Sequence, residues 1–343
     1  SAAIREFGFV EQGRSASAIG QLVQFDAWRA HMKVLDCTRE EYNRMTEEQR
    51  KDVKFIGPWV TAAEDLSTRA IVGVSFSKTP NQEASLECLR MIYRDKTYLL
   101  REMGIKDSDW NYVCLMQEGC NDSGSEFGKE PFGGAMFSNA VRLLSSSQMN
   151  GAAGVSHLRG AMERFFWTCD LKLARYLPGY TAQNPQARND RKYLSEVCIC
   201  FDEFQTLFLL FIAEYHKSRH RGLNGQTPAA KWEKLSQGVE YDITQLPSPA
   251  QFREACGYHT TAKVSAEGIR FAGAVYSNEF IRHQRRAPLV DRIAAPGESV
   301  EIMVDPYDLG GISVLANGEL ISVRSRDPEM AGKSLREWQE ERK

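Results

Sequence analysis

The chain has 343 residues, of which 42% are apolar and 26% are charged, and its formal net charge is −2. This composition is typical of a globular protein with enough residues for two or three domains. The near-neutral charge excludes a protein coated in positive charge, although a local basic face can still bind nucleic acid. The densest apolar run, Leu207–Ile212, is too short to cross a bilayer.

The N-terminal part of the chain predicts an arm, two strands and an insertion. Residues 1–20 are mostly polar and small, as in an arm or linker. The segment 22–28, LVQFDAW, is rich in strand-forming residues, and 31–37, HMKVLDC, is interpreted as its partner strand. The charged segment 38–54 is expected to be an exposed helical insertion.

A buried strand, a helix and a second strand are expected next. The segment 67–77, STRAIVGVSFS, has the dense apolar pattern of a buried strand, and Pro80 opens a helix after it. A further strand is predicted at 111–117. The polar segment 119–130, GCNDSGSEFGKE, follows at the end of that strand.

The middle of the chain predicts a loop and two long helices. Residues 128–155 are rich in Gly, Ser and Ala and are interpreted as a mobile loop with one short helix at most. Residues 156–177 have an apolar stripe at helical spacing and Ser156 as a candidate cap. A second long helix is expected from about 192 to 217.

The pattern changes after Pro247, where short strands and turns replace helices. From about 260 to 325 the chain alternates strand-forming runs with turns, and Asn317-Gly318 is a strong hairpin signal. We expect a small β-barrel over 246–326 and a charged tail, helical or disordered, over 327–343.

The eight cysteines include no CxxC pair, which favours a reduced, cytoplasmic protein over a disulfide-bonded one. Cys198 and Cys200 are predicted to lie two apart in a helix, where they point in different directions and make a poor metal pair.

Three carboxylates occupy positions where an ionised acid is costly unless something compensates its charge. Asp26 interrupts the first apolar strand, Asp122 lies just past a later strand, and Glu163 is on a helix at the edge of the apolar stripe. A shared Mg²⁺ site would compensate all three, because Mg²⁺ prefers hard oxygen ligands. Two alternatives remain open: Asp122 as an Asx turn in DSG, and Glu163 as an ion-pair partner of Arg159.

Five segments occur in an order that points to one family. They are DSGSEF at 122–127, LRGAMERFF at 158–166, GYTAQNPQARND at 179–190, YHKSRHRGLNGQTPAAKW at 215–232 and VDPYDLGGISVLANGELI at 304–321. Together they resemble the DDE transposases and integrases, and in particular the phage Mu transposase and the B-subunit transposases of multi-component transposons.

This resemblance implies an α/β RNase H-like catalytic core over 21–245, with a mixed sheet flanked by helices, followed by a Mu-type C-terminal β-barrel over 246–326. It implies Asp26, Asp122 and Glu163 as catalytic residues and as ligands of two Mg²⁺ ions, which Mn²⁺ can replace. The implied reaction is hydrolysis at transposon ends, followed by transesterification that joins the freed 3′-hydroxyl to target DNA.

The chain departs from the family pattern at two places. Ser123 stands where Asn is usual, and the glycine-rich stretch 128–155 stands where some relatives have a clear strand. If Glu163 is not the third acid, Glu126 or Glu130 is the next candidate. Two other functions remain open: an RNase H-like nuclease that only hydrolyses, and a catalytically inactive relative that binds DNA.

Basic residues concentrate near the predicted third acid and in the HKSRHRG segment. Cations there are candidates for phosphate contacts, which position DNA without reading its sequence. The histidines of that segment are interpreted as helix-end contacts to backbone or DNA rather than as a metal pair. Trp59, Trp167 and Trp232 are expected in the core. The DNA-binding candidates are Arg159, Arg164, Lys172, Arg175, His216, Arg219, His220, Arg221, Arg285 and Arg286.

The resemblance also implies partners. Relatives act as homo-multimers on paired double-stranded DNA ends and are directed by an AAA+ ATPase. The tail 327–343 is a candidate contact for such an ATPase.

Overall fold

The computed structural model describes residues 15–102, 105–106, 108–121, 136–144, 147–150, 160–181, 197–238, 245–284, 297–316 and 318–342. The chain divides into two compact units between Leu246 and Pro247. Within the described ranges, no helix is long and apolar enough to cross a membrane.

The first unit is built on a mixed sheet with helices on both faces. Its strands are β1 (Leu22–Arg29), β2 (Val34–Leu35), β3 (Phe55–Ile56), β4 (Trp59–Asp65), β5 (Ile71–Ser77), β6 (Glu118–Asn121) and β7 (Ser147–Asn150). The five-stranded sheet has the order β5-β4-β1-β6-β7. Its first three strands are antiparallel neighbours, whereas β6 runs parallel to both β1 and β7.

The helices of the first unit are α1 (Arg39–Arg44), α2 (Glu47–Lys51), α3 (Gln82–Ile92), α4 (Thr97–Glu102), α5 (Met136–Leu144), α6 (Gly160–Lys172), α7 (Phe201–Lys217) and α8 (Pro228–Ser236). Phe25 of β1 packs on Phe137 of α5, and Trp28 packs on Phe166 of α6. Because side chains alternate along a strand, these two contacts lie on opposite faces of the sheet. The predicted α/β core with a flanked mixed sheet is confirmed.

The partner of β1 differs from the prediction. The segment 31–37 contributes only β2, which pairs with β3, whereas β1 pairs with β4. All of β4 after Trp59 is buried, as expected for a strand between two neighbours. Its end carries two acids, Glu64 and Asp65, which concealed the strand from the sequence pattern. The charged segment 38–54 does form the short exposed helices α1 and α2, with no buried residue in either.

The strand predicted at 111–117 is shifted. The apolar run before β6 is largely buried, but its backbone groups bond to segments outside any strand ladder. The N–H of Cys114 donates to the carbonyl of Ile92, and the N–H of Gln117 donates to the carbonyl of Gly20. The buried Lys96 ammonium donates to the carbonyl of Tyr112. Strand pairing therefore begins only at Glu118.

The interpretation of 128–155 as a loop with one short helix is partly right over its described part. Residues 136–144 form that helix, α5, but residues 147–150 form β7, an unpredicted edge strand beside β6. The next helix, α6, ends at Lys172 and is followed by a 3₁₀ turn. Ser156, its predicted cap, lies outside the described residues.

The second predicted long helix begins later than expected. Helix α7 starts at Phe201 because Cys200 stands at its N-cap and forms a backbone bridge with Leu35. Cys198 and Cys200 therefore precede the helix, which corrects the prediction that they lie within it. All eight cysteines are free.

The second unit is a curled antiparallel sheet with short helices, as predicted for an all-β region. Its strands are β8 (Tyr258–Val264), β9 (Ile269–Phe271), β10 (Ala274–Tyr276), β11 (Ser299–Asp305), β12 (Asp308–Ala316) and β13 (Glu319–Arg324). They have the order β10-β9-β8-β11-β12-β13 in the sheet, and an isolated bridge from Tyr276 to Ser325 joins the two ends of the sheet. The predicted hairpin joins β12 to β13 with Ala316 opposite Glu319, and Gly318 adopts a φ of +83°. The helices are α9 (Pro249–Cys256), α10 (Glu279–Gln284) and α11 (Leu335–Glu341).

The C-terminal tail is an integral part of this second unit. Leu335 and Trp338 of α11 pack against the core of the curled sheet. The indole Nε1 of Trp338 donates to the carbonyl of Ala272 at 2.8 Å. Of the two states expected for the tail, helical or disordered, the structure shows the helical one.

Candidate functional site

Asp26 lies on the face of β1 that packs against α6. It is two residues from Trp28, so the two side chains share a face of the sheet. The ring of Trp28 stacks on Phe166 of α6, with centroids 5.6 Å apart and planes 22° apart. Asp26 is half-buried, and one of its carboxylate oxygens accepts a hydrogen bond from the N–H of Ala27 at 2.9 Å.

A second contact fixes where α6 crosses β1. Ala161, near the start of the helix, packs against the apolar cluster that contains Leu22 at the start of the strand. Glu163 lies between Ala161 and Phe166, the two contact residues of α6. Asp26 lies between Leu22 and Trp28, the two contact residues of β1. The segments that carry these two acids therefore cross each other on one face of the sheet. Glu163 itself is exposed to solvent.

Asp122 lies outside the described residues, as do the substitute candidates Glu126 and Glu130. The chain reaches Asp122 from β6, which is parallel to β1 with Gln24 opposite Cys120. In this register the last residue of β6, Asn121, is level with the residue that precedes Asp26.

Among the described residues, no group of three or more His, Cys, Asp or Glu side chains is close enough to hold a metal ion. Asp26 and Glu163 are the described members of the predicted ligand set. Both supply carboxylate oxygens, the donor type that Mg²⁺ and Mn²⁺ accept. The donor chemistry of these two residues therefore fits the implied metal.

A cavity of about 580 Å³ lies beside α6 in the first unit. One wall comes from the exposed side of α6, and another comes from the segment 218–222 that follows α7. Four exposed cations line it, and all four are predicted DNA-binding residues: Arg164, Lys172, Arg219 and Arg221. We call this the basic cavity.

The floor of the basic cavity contains an acid and a cation that the sequence analysis did not select. Glu64 of β4 is 1% exposed, and its Oε1 accepts from Nη1 of Arg69 at 3.3 Å. Burial raises the pKa of Glu64 to about 7, and the charge of Arg69 opposes that rise. The second carboxylate oxygen, Oε2, is buried without a hydrogen-bond partner among the described residues. The acid pair Glu64-Asp65 at a strand end was the signal available in the sequence.

A tight turn between β4 and β5 holds Arg69 beside Glu64. Asp65 secures the turn by accepting hydrogen bonds from the hydroxyls of Ser67 and Thr68 and from the N–H of Gly20. Arg69 closes it with a φ of +62°, in the left-handed region that non-glycine residues rarely adopt. The turn therefore presents the Arg69 guanidinium to the floor of the basic cavity.

The two histidines of the HKSRHRG segment differ in environment. His216 is 4% exposed, its Nε2 accepts from the backbone N–H of Ile71 at 3.0 Å, and burial lowers its pKa to about 3. His216 thus supports the backbone of β5, which is the backbone alternative expected for this segment, and its burial corrects its assignment to a DNA-binding surface. His220 lines the basic cavity, and its pKa is lowered by burial and by the nearby charges of Arg69 and Arg164.

The other predicted contacts fall in different places. Arg175 is exposed beyond the end of α6, away from the lining of the basic cavity. Arg159, Arg285 and Arg286 lie outside the described residues. Trp232 is buried as expected. Trp167 corrects the expectation of a core residue, because it is 57% exposed and lines the basic cavity.

Two family models match the chain in sequence order. Residues 35–179 match the TnsB C-terminal domain, and residues 251–323 match the Mu transposase C-terminal domain. The transposase for transposon Tn552 of Staphylococcus aureus is 23% identical over 287 residues, covering 81% of this chain and 50% of the relative. The chain therefore spans about half the length of this curated relative.

Two solved structures show a loose similarity. A chain of a simian T-cell lymphotropic virus intasome in complex with PP2A regulatory subunit B56 gamma has a TM-score of 0.40 at 8% identity, with 94% of this chain and 81% of that chain covered. The catalytic core domain of BIV integrase has a TM-score of 0.33 at 12% identity, with 64% and 97% covered. The family models and the Tn552 relative confirm the resemblance that the sequence motifs predicted: one segment of the chain is similar to the TnsB C-terminal domain, and a later segment is similar to the Mu transposase C-terminal domain.

Proposed function

We propose that this chain is the catalytic part of a DNA transposase, which hydrolyses a phosphodiester at transposon ends and joins the freed 3′-hydroxyl to target DNA. The two family matches and the similarity to the Tn552 transposase support the class of reaction. The observation that carries the proposal is the crossing of α6 over β1, because it puts the segments of Asp26 and Glu163 on one face of the sheet.

We further propose an RNase H-like architecture for the core. Support comes from a central β1 with antiparallel neighbours on one side and parallel neighbours on the other, covered by helices on both faces. In this arrangement Asp26 and Asn121, the residue that precedes Asp122, belong to neighbouring parallel strands.

Asp26, Asp122 and Glu163 are the residues that would hold Mg²⁺. Two divalent ions, when bound, polarise the phosphodiester, activate the attacking oxygen and stabilise the leaving oxygen. The role of the protein is positional. Asp26 is carried by a central strand and Glu163 by a helix packed on that strand, so these carboxylates are held on rigid elements.

The basic cavity supports a DNA-binding role for Arg164, Lys172, Arg219 and Arg221. Their guanidinium and ammonium groups would contact phosphates and fix the path of the DNA without reading its sequence. Arg164 and Glu163 are both exposed on the first turns of α6, at the same end of the helix. Binding through these cations is expected to weaken steeply with salt.

Multimeric assembly on paired DNA ends, a cytoplasmic location and direction by an AAA+ ATPase are also proposed. Deleting the whole tail would not test the ATPase contact, because Trp338 belongs to the core of the second unit. Substitution of the exposed Gln339 and Arg336 is the better test. ATPase-stimulated transposition should fall while basal cleavage stays constant, and equal loss of both would contradict the contact.

The test of the proposed function is a product assay with a labelled duplex from the end of the encoding element, a plasmid target and Mg²⁺ or Mn²⁺. We expect joined DNA from the wild type and none from Asp26→Asn, Asp122→Asn or Glu163→Gln, with DNA binding retained by all three. Hydrolysis without joining would favour the RNase H-like nuclease. Binding without either reaction would favour the inactive relative.

A further inference from the structure

Trp167 stands out among the aromatic residues of α6. Its neighbours Phe165 and Phe166 are buried in the core, whereas its indole is 57% exposed on the wall of the basic cavity. A flat aromatic surface surrounded by cations is the combination that proteins use to bind single-stranded nucleic acid, with bases on the ring and phosphates on the charges.

The charge of the cavity is strongly positive. Its described lining contains Arg69, Arg164, Lys172, Arg219 and Arg221, and Glu64 is the one carboxylate among them. The cations come from three separate elements: the β4–β5 turn, α6 and the segment after α7. Their charges therefore converge on one space, which attracts an anion such as a phosphate more strongly than a single surface cation does.

The size of the cavity limits the occupant. A volume of about 580 Å³ lies within the range of sites that enclose one small molecule, roughly 300–1,000 Å³. Such a space is large enough for one nucleotide.

The position of Trp167 relates the cavity to the proposed reaction. Trp167 lies four residues after Glu163, which is one turn of α6. A nucleotide held on Trp167 would therefore be adjacent to the phosphodiester that Glu163 serves.

We propose that the basic cavity holds one unpaired nucleotide of the DNA substrate, with its base stacked on Trp167 and its phosphate bound by the cations around it. The proposal rests on the proposed function for the identity of the nucleic acid. To the proposed function the nucleotide site adds a base-stacking residue, Trp167, and a preference for DNA that is unpaired next to the reacting bond.

The test is an equilibrium binding measurement in which no reaction occurs. Two duplexes of equal length are compared in EDTA, one fully paired and one with a single unpaired 2-aminopurine nucleotide at its end. Fluorescence of 2-aminopurine reports stacking, and anisotropy reports affinity. The variants are Trp167→Ala and Trp167→Phe. Tyr176→Ala serves as a matched control because Tyr176 is 78% exposed and lies outside the cavity lining.

We expect the wild type to bind the unpaired DNA roughly tenfold more tightly than the paired DNA, the size typical of one base–aromatic stack. Trp167→Ala should lose this preference and the 2-aminopurine quenching, whereas Trp167→Phe and Tyr176→Ala should keep most of both. Equal preference in the wild type and Trp167→Ala would overturn the proposal. Tighter binding of single-stranded RNA than of the unpaired DNA would also overturn it.

Joining activity measured on the same preparations separates this proposal from the proposed function. If the wild type joins DNA but Trp167→Ala does not change binding, the nucleotide site in the basic cavity is rejected and the proposed transposase function is retained. If the protein never joins DNA but prefers unpaired DNA through Trp167, the nucleotide site is retained and the proposed transposase function is rejected.

Discussion

Replacing Glu64 by Gln should change how the stability of the first unit depends on pH. Glu64 is 1% exposed, and burial raises its pKa from 4.5 to about 7 despite the neighbouring Arg69. The folded state therefore holds the proton more tightly than the unfolded state. This stabilises the folded state fully below pH 4.5, and the stabilisation is lost as the pH rises through about 7. Gln has nearly the same shape and no titration.

The magnitude follows from the two pKa values. Linkage gives a loss of about 2–3 kcal/mol in the free energy of unfolding of the wild type, relative to Glu64→Gln, between pH 5 and pH 8. Most of this change falls between pH 5 and pH 7. Subtracting the free energy of unfolding of one protein from that of the other cancels the titration of groups that both contain, such as the buried Lys96.

Urea unfolding at intervals of half a pH unit measures this difference, with intrinsic fluorescence as the signal. Glu214→Gln, which removes an exposed carboxylate from α7, controls for the loss of one negative charge. A parallel pH dependence of the free energy of unfolding in the wild type and in Glu64→Gln would contradict the raised pKa of Glu64. It would show that Arg69 keeps Glu64 ionised over the whole range.

Three further changes test the packing described above. His216→Ala removes the acceptor of the Ile71 N–H and leaves a cavity, so it should destabilise the first unit by about 2–4 kcal/mol in urea unfolding while DNA affinity of the folded protein stays unchanged. Lys96→Met leaves buried carbonyls without their donor and should cost about 3 kcal/mol, whereas a neutral or stabilising effect would contradict the role given to this ammonium. Trp338→Ala should lower the melting temperature of the second unit, and Trp338→Phe should lower it less because Phe keeps part of the ring packing while losing the bond to Ala272.

Local patterns predicted the elements whose burial is regular. The apolar run of β5 and the stripe of α6 appear in the structure close to where periodicity put them. Strand β4 was missed because buried acids end its apolar pattern. Glu64 is tolerated there because Arg69 lies beside it and because burial raises its pKa, which favours the neutral carboxyl. The strand predicted before β6 was misplaced because burial alone does not show whether a backbone pairs.

Some features of the candidate site were predictable from the sequence, and others were not. Asp26 and Glu163 were identified from motifs, and the packing of Trp28 on Phe166 brings their segments together. No local pattern shows that Gln24 pairs with Glu64, or that Trp167 is turned outward among buried neighbours. Such facts depend on strand register and on the rotation of a helix about its axis, which are properties of the assembled fold.

The most direct test of the central claim is a crystal structure of this chain soaked in Mn²⁺, with the anomalous signal located. We expect a peak between the carboxylates of Asp26 and Asp122, with Glu163 beside it. Asp26 and Asp122 far apart on different faces of the sheet would contradict the assignment of the three acids and, with it, the proposed reaction.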